Sequence, residues 1–268
     1  RLSFGVLIDP LVEEYGWSRG GISLAYTLQF LIGIPAVLVV GWFAEKISSR
    51  RMVLGGAAIF TIGMLLTATV AHLWQFQIYF GVLIGGLGAA PFVVLLPVLL
   101  GRWFNRRFGF ALGLMWVTLS LGPAVLSPWL RGSIEAVGWS QTFITLSLIG
   151  GGLILMAGFF LRENPQEMKL EPYGGLPPRP QTEDADSATA GFSLHQVTRT
   201  RSFWALTAVH SLGCIGHSVL LAHIVSIATF AGIPSITAAG ALSTVFATSA
   251  ISRFAMSMVA EAKGARFT

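Results

Sequence analysis

Gly41-Trp42-Phe43-Ala44-Glu45-Lys46-Ile47-Ser48-Ser49-Arg50-Arg51 is a short polar interruption between two long apolar runs, 21–43 and 52–73. Each run is about the 20 residues that a helix needs to cross ~30 Å of hydrocarbon, so the stretch reads as a tight loop at one membrane surface. It has an echo. Sliding the sequence by 216 positions lays Ala44 and Glu45 on Ala260 and Glu261, Arg50 on Arg266, Gly16 on Gly232, Ala25 on Ala241 and Phe30 on Phe246. These six identities in a 36-residue overlap cover two apolar runs and their loops. Faint internal symmetry of this kind marks helical membrane bundles built from two related halves.

The composition agrees. Hydrophobic residues make up 54% of the 268 and charged residues 11%, with a mean hydropathy of +0.72. Soluble domains carry about 25% charged residues, so this is an all-α chain of the membrane, with the lipid bilayer as its first partner. The net charge of +5 would suggest a nucleic-acid partner in a soluble protein. Here the cations sit in loops between apolar runs, where they orient helices, and nucleic-acid binding is excluded. The single cysteine, Cys214, lies inside an apolar run and can form no disulfide within the chain.

Apolar runs give eight spans, roughly 1–12, 21–43, 52–73, 76–100, 108–130, 139–161, 203–230 and 236–260. The first is short and begins at Arg1 without a leader, so the expectation is a chain cut inside its first membrane helix. With the 41–51 loop in the cytoplasm, thirteen Lys and Arg fall on the inner side, and only Arg19 and Arg131 on the outer. That asymmetry predicts a multi-pass protein of the plasma (inner) membrane with the N-terminus and the central linker cytoplasmic. The linker, 162–200, is rich in Pro, Gly and acidic residues and predicts disorder. It separates a six-helix half, 1–161, from 201–268, the start of a second half holding helices seven and eight. About eight of an expected twelve helices are then present. Gly81, Gly85, Gly88, Gly109, Gly113 and Gly122 are positions where helices can approach closely.

Gly41, Glu45, Lys46, Arg50 and Arg51 together resemble the loop signature of the major facilitator superfamily, with Glu for Asp, Lys for Arg, and Ser48 where Gly is preferred. The resemblance implies a cytoplasmic gate in which the acid pairs with basic residues and with a helix N-terminus in one conformation only. By the repeat, Glu261 and Arg266 belong to the same gate. Gly16-Trp17-Ser18-Arg19, the run Arg102-Trp103-Phe104-Asn105-Arg106 through Gly113, and His217 to Gly232 resemble the monocarboxylate porter and oxalate:formate antiporter branch. That branch implies a small organic anion as substrate, moved with protons or exchanged for a counter-anion. By itself, the cluster Arg102, Arg106 and Arg107 reads as topogenic charge, with Trp103 and Phe104 as interface anchors.

Arg253 is the one fully charged side chain inside the seven complete spans, eight residues before Glu261 and so about 12 Å along the helix. An isolated cation at such depth costs at least ~2.5 kcal/mol, so it must face water, an acid or an anion. In the porter branch an arginine at this spacing from the gate loop binds the substrate carboxylate, a role the resemblance assigns to Arg253. Four residues earlier, where animal members often carry a proton-coupling Asp, this chain has Ser249. Arg1 lies 12 residues before Glu13, about 18 Å of helix, and the repeat sets it opposite His217. Both are further candidates for the anion site. His210 shares a face with His217, while His72 at a membrane edge is the sole partner for haem ligation, which is rejected.

The predicted function is secondary transport of a small organic anion by alternating access. A carrier of neutral or other solutes, or a non-transporting sensor with the same fold, are the alternatives. No nucleophile with a base and no metal-binding helix motif is found, so an enzyme is not expected, nor a cofactor or a metal.

Overall fold

The computed structural model describes residues 4–44, 46–175 and 194–263. Eight main helices follow in order: α1 Gly5–Tyr15, α2 Arg19–Phe43, α3 Ser49–Thr67, α4 Leu73–Trp103, α5 Phe108–Val137, α6 Trp139–Phe160, α7 Arg201–Phe230 and α8 Ser235–Lys263. All but α1 carry stretches long and apolar enough to span a bilayer. The helix ends follow local chemistry. Ser18 Oγ accepts the Gly21 N–H to cap α2, Ser48 Oγ accepts the Arg51 N–H to cap α3, and Thr200 Oγ1 accepts the Phe203 N–H to cap α7. Ser48, a departure from the loop signature, thus works as a helix cap. The run expected to continue to 73 ends at Thr67 because Gln75 draws the chain into a new start: its Oε1 accepts the Ala71 and His72 N–H groups ahead of α4. His72 is the N-cap position of that helix.

In this fold α1 is the central element. From Phe4 to Leu11 it is buried, packed by α2, α5 and α7. Phe4 stacks on Tyr26 of α2 and lies against Phe80 of α4. Contacts among α2, α3, α4 and α6 complete the packing of the first six helices. Gly81 and Gly85 on α4 let the helix close on Ala25 and Gln29 of α2, and part of α4, Gln77–Gly88, is wound in wide π turns. Leu38, Phe160 and Leu206 are 70% or more exposed. Apolar surface of this extent on so many helices belongs against lipid rather than water.

The stretch expected to be a disordered linker has a defined course over residues 162–175. After a 3₁₀ turn at Pro165–Met168, Tyr173 pairs its backbone with the loop between α4 and α5. Its N–H donates to the Trp103 carbonyl at 2.8 Å, and its carbonyl accepts the N–H groups of Asn105 and Arg106, each at 3.0 Å. Composition argued for disorder because the segment has little to bury. Backbone pairing holds it without a core.

Candidate functional site: the seam between α5 and α8

The most extensive helix pair in the structure is α5 with α8. On α8 the buried residues Ala238, Ala239, Leu242, Phe246 and Ala250 recur every three or four positions, which is one helical face. At the end of the molecule that carries the α2–α3 and α4–α5 loops, here the basic end, contact is set by small residues. A Cβ on Gly109 would stand 2.8 Å from both the Glu261 Cβ and the Ser257 carbonyl, and one on Gly113 3.1 Å from the Ser257 Cβ. Only glycine permits this approach, and it brings the Glu261 carboxylate onto the first turn of α5, where it accepts the Phe110 N–H at 3.0 Å. A carboxylate on an unpaired N–H at a helix N-terminus is favoured by hydrogen bond and helix dipole alike.

One turn beyond Gly113, Trp116 meets Arg253. The guanidinium carbon lies 5.1 Å from the indole centroid, and Nε donates to Ser249 Oγ at 3.0 Å. Among the described residues Arg253 has no acidic partner.

At the opposite, far end, two carboxylates join the helices. Asp9 of α1 is buried; Arg19 donates to its Oδ1 at 2.5 Å, and Thr229 of α7 donates to its Oδ2 at 2.8 Å. Glu135 of α5 accepts from Arg131 Nε at 2.7 Å and from the Ser235 hydroxyl of α8 at 2.5 Å. Each acid is thus oriented by an arginine and takes a hydroxyl from α7 or α8. A cavity of about 320 Å³ lies among them, lined by Asp9, Glu13, Arg19, Arg131, Thr229 and Ser235.

The residues singled out in the sequence are spread over this frame. Gly41 is exposed in the last turn of α2, with open space where a Cβ would stand. Lys46 Nζ sits 3.6 Å from the Trp42 ring centroid. Arg50 donates its backbone N–H to Glu163 at 3.3 Å and stacks over Phe159, while the Arg51 N–H serves the α3 cap. Glu163 also lies 3.7 Å from Arg102, so an acid just after α6 ties the starts and ends of its neighbours. Arg1, Glu45 and Arg266 lie outside the described residues, and of His217 only the backbone course within α7 is described. His210 Nε2 lies 3.5 Å from Cys214 Sγ, one turn along α7. The acids Asp9 and Glu163 and the ring of Trp116 did not stand out in the sequence. Asp9 was hidden in a run too short to count as a complete span, Glu163 in a linker, and Trp116 among ordinary membrane aromatics.

Membrane-length helices with lipid-type outer faces, a glycine-mediated seam and an arginine at its exposed rim define a polytopic helical membrane bundle. The chain belongs to the Major Facilitator Superfamily, whose family model matches residues 1–268. Among curated relatives it is similar to a multidrug resistance protein B homolog of Mycobacterium tuberculosis (27% identical over 169 residues, 62% of this chain and 31% of the relative). It is likewise similar to monocarboxylate transporter 14 of Homo sapiens (25% over 182 residues, 66% and 35%). The oxalate:formate antiporter of Oxalobacter formigenes matches at 24% over 206 residues, 77% of this chain and 46% of the relative. The chain thus spans less than half the length of each of these relatives.

Proposed function

We propose that the whole protein is a secondary transporter that moves a small organic anion by alternating access, with Arg253 as the ligand of the substrate carboxylate. The observation that carries this reading is the state of Arg253. It lies ten residues from the end of α8, about 15 Å along the helix, exposed beside Trp116 of α5 and with no acid to neutralise it among the described residues. A guanidinium is tolerated at such depth where an anion compensates it, and its planar fork matches a carboxylate through two parallel hydrogen bonds. The names of two relatives, a monocarboxylate transporter and an oxalate:formate antiporter, support an anionic substrate.

In this reading 1–161 forms one half, 162–200 the linker and 201–268 the start of the other half, with the basic end in the cytoplasm. Gly41, Glu45, Lys46, Arg50, Arg51, Glu261 and Arg266 form the inner gate. The Glu261 bond to the N-terminus of α5 supports it, being the contact such a gate makes when closed. Charge balance is met by protons or by a counter-anion. The multidrug name of another relative favours a broader range of solutes as the second reading.

Uptake of labelled lactate, pyruvate, formate and oxalate into vesicles holding the whole protein separates the two. Arg253→Lys keeps the charge but loses the fork, and we expect it to abolish most anion uptake at unchanged abundance. Unchanged uptake of all four anions in that variant would exclude the carboxylate site.

A further inference from the structure

We propose that Trp116 is a positioning residue for the anion site: its indole face holds the Arg253 guanidinium in the α5–α8 seam with its charge intact, while Ser249 takes up Nε and leaves the two terminal nitrogens for a carboxylate. The inference rests on the reading of Arg253 as the substrate ligand and adds the residue that sets its orientation.

Arg253 is exposed at the rim of the seam, and a cation at membrane depth needs compensation even there. An acidic partner would stabilise Arg253 but would also occupy the fork and compete with any incoming carboxylate. The face of an indole attracts a cation through its quadrupole and neutralises nothing. Trp116 supplies that face at 5.1 Å, and the Ser249 Oγ, 3.0 Å from Nε, fixes the plane of the guanidinium. With Nε engaged, the terminal pair is the edge that remains for two parallel bonds to a carboxylate.

The placement of Trp116 is a consequence of the seam. Gly109 and Gly113, one turn apart on α5, pull the two backbones together against Ser257 and Glu261. The next turn of the same α5 face presents Trp116, and the preceding turn of α8 presents Arg253, so the ring lands on the guanidinium as the helices close. The close approach thereby fixes the distance between ring and cation, and a large flat side chain fits there where a branched aliphatic one would offer no attraction. Ser249 then has a defined use: a hydroxyl orients the arginine without cancelling it.

Three variants of the whole protein test this, each with abundance measured alongside uptake of lactate and oxalate. Trp116→Leu keeps apolar bulk and removes the π face; we expect its KM for both anions to rise about tenfold with the maximal rate little changed. Trp116→Phe keeps a weaker face, and its KM should rise only about two- to threefold. A tryptophan beside the bound anion also gives a signal of its own: oxalate added to the purified protein should shift indole emission, and the shift should vanish in Trp116→Phe although uptake persists. An unchanged KM in Trp116→Leu, or an emission shift that survives in Trp116→Phe, overturns the inference. If Trp116→Leu fails to accumulate, the graded KM and the emission of Trp116→Phe decide alone. Loss of uptake in Arg253→Lys together with an unchanged KM in Trp116→Leu sinks only the role of Trp116. Unchanged uptake in Arg253→Lys sinks the anion site beneath it.

Discussion

The two ends of the helical bundle are held by different means. At the basic end the backbones touch through Gly109 and Gly113, and the Glu261 carboxylate is spent on a backbone N–H. At the far end polar side chains make the joints: Glu135 of α5 takes the Ser235 hydroxyl of α8, while Asp9 of α1 takes Arg19 of α2 and Thr229 of α7. Contacts between backbones are graded by volume: one added methyl group is felt at once. Contacts between side chains are graded by hydrogen bonding, and the loss of one partner leaves the others in place with their solvent access. The first kind of joint tolerates no added volume. The second tolerates substitution and depends on two carboxylates being charged.

Gly109→Leu should have the largest effect of any single change along the seam. Its side chain must displace Glu261 and the Ser257 backbone, an overpacking cost of about 1–3 kcal/mol or more. We expect lower abundance and a thermal midpoint in detergent lowered by about 5 °C. A normal midpoint would show that the basic end is loose enough to part. Asp9→Ala should come second, at about 1–2 kcal/mol, because it deprives Arg19 of its acid and Thr229 of its acceptor; Arg19 itself is half exposed and finds water. Asp9→Asn retains an acceptor for Thr229 and should fall between Asp9→Ala and the parent. Equal midpoints for the two Asp9 variants would mean that the hydroxyl bond contributes nothing. Ser235→Ala should be the smallest, about 0.5 kcal/mol, since Glu135 keeps Arg131 and is itself 38% exposed at the side chain. A loss as large as that of Gly109→Leu would reverse the ranking of the two ends.

What could be read from the sequence follows the range of the interactions involved. The spans from α2 to α8 were legible because run length is a local property, and their ends fall within a few residues of the apolar boundaries except at α3, where Gln75 reaches back to cap the next helix, and at α5, which runs seven residues past 130 to Val137. The closeness of Gly109 and Gly113 to a neighbour was legible as a possibility, but not which helix would fill the space. Trp116 and Arg253 are 137 positions apart, and no spacing rule links them; their meeting is decided by the register of two helices. The order of residues 162–175 was illegible for another reason. Composition reports what side chains can bury, whereas Tyr173 is held through its backbone.

The burial of Asp9 has a consequence for how the protein is made. Its charge partner, Arg19, lies ten residues on and emerges with the first helical hairpin. Its hydroxyl partner, Thr229, lies 220 residues on and arrives only with α7. A nascent α1 entering the bilayer alone would carry an acid that lipid disfavours by a few kcal/mol, on the order of 3. Pairing within the hairpin removes that penalty early and leaves α1 soluble in lipid until the later helices enclose it. The bond to Thr229 can form only once α7 has been made, long after the pairing with Arg19.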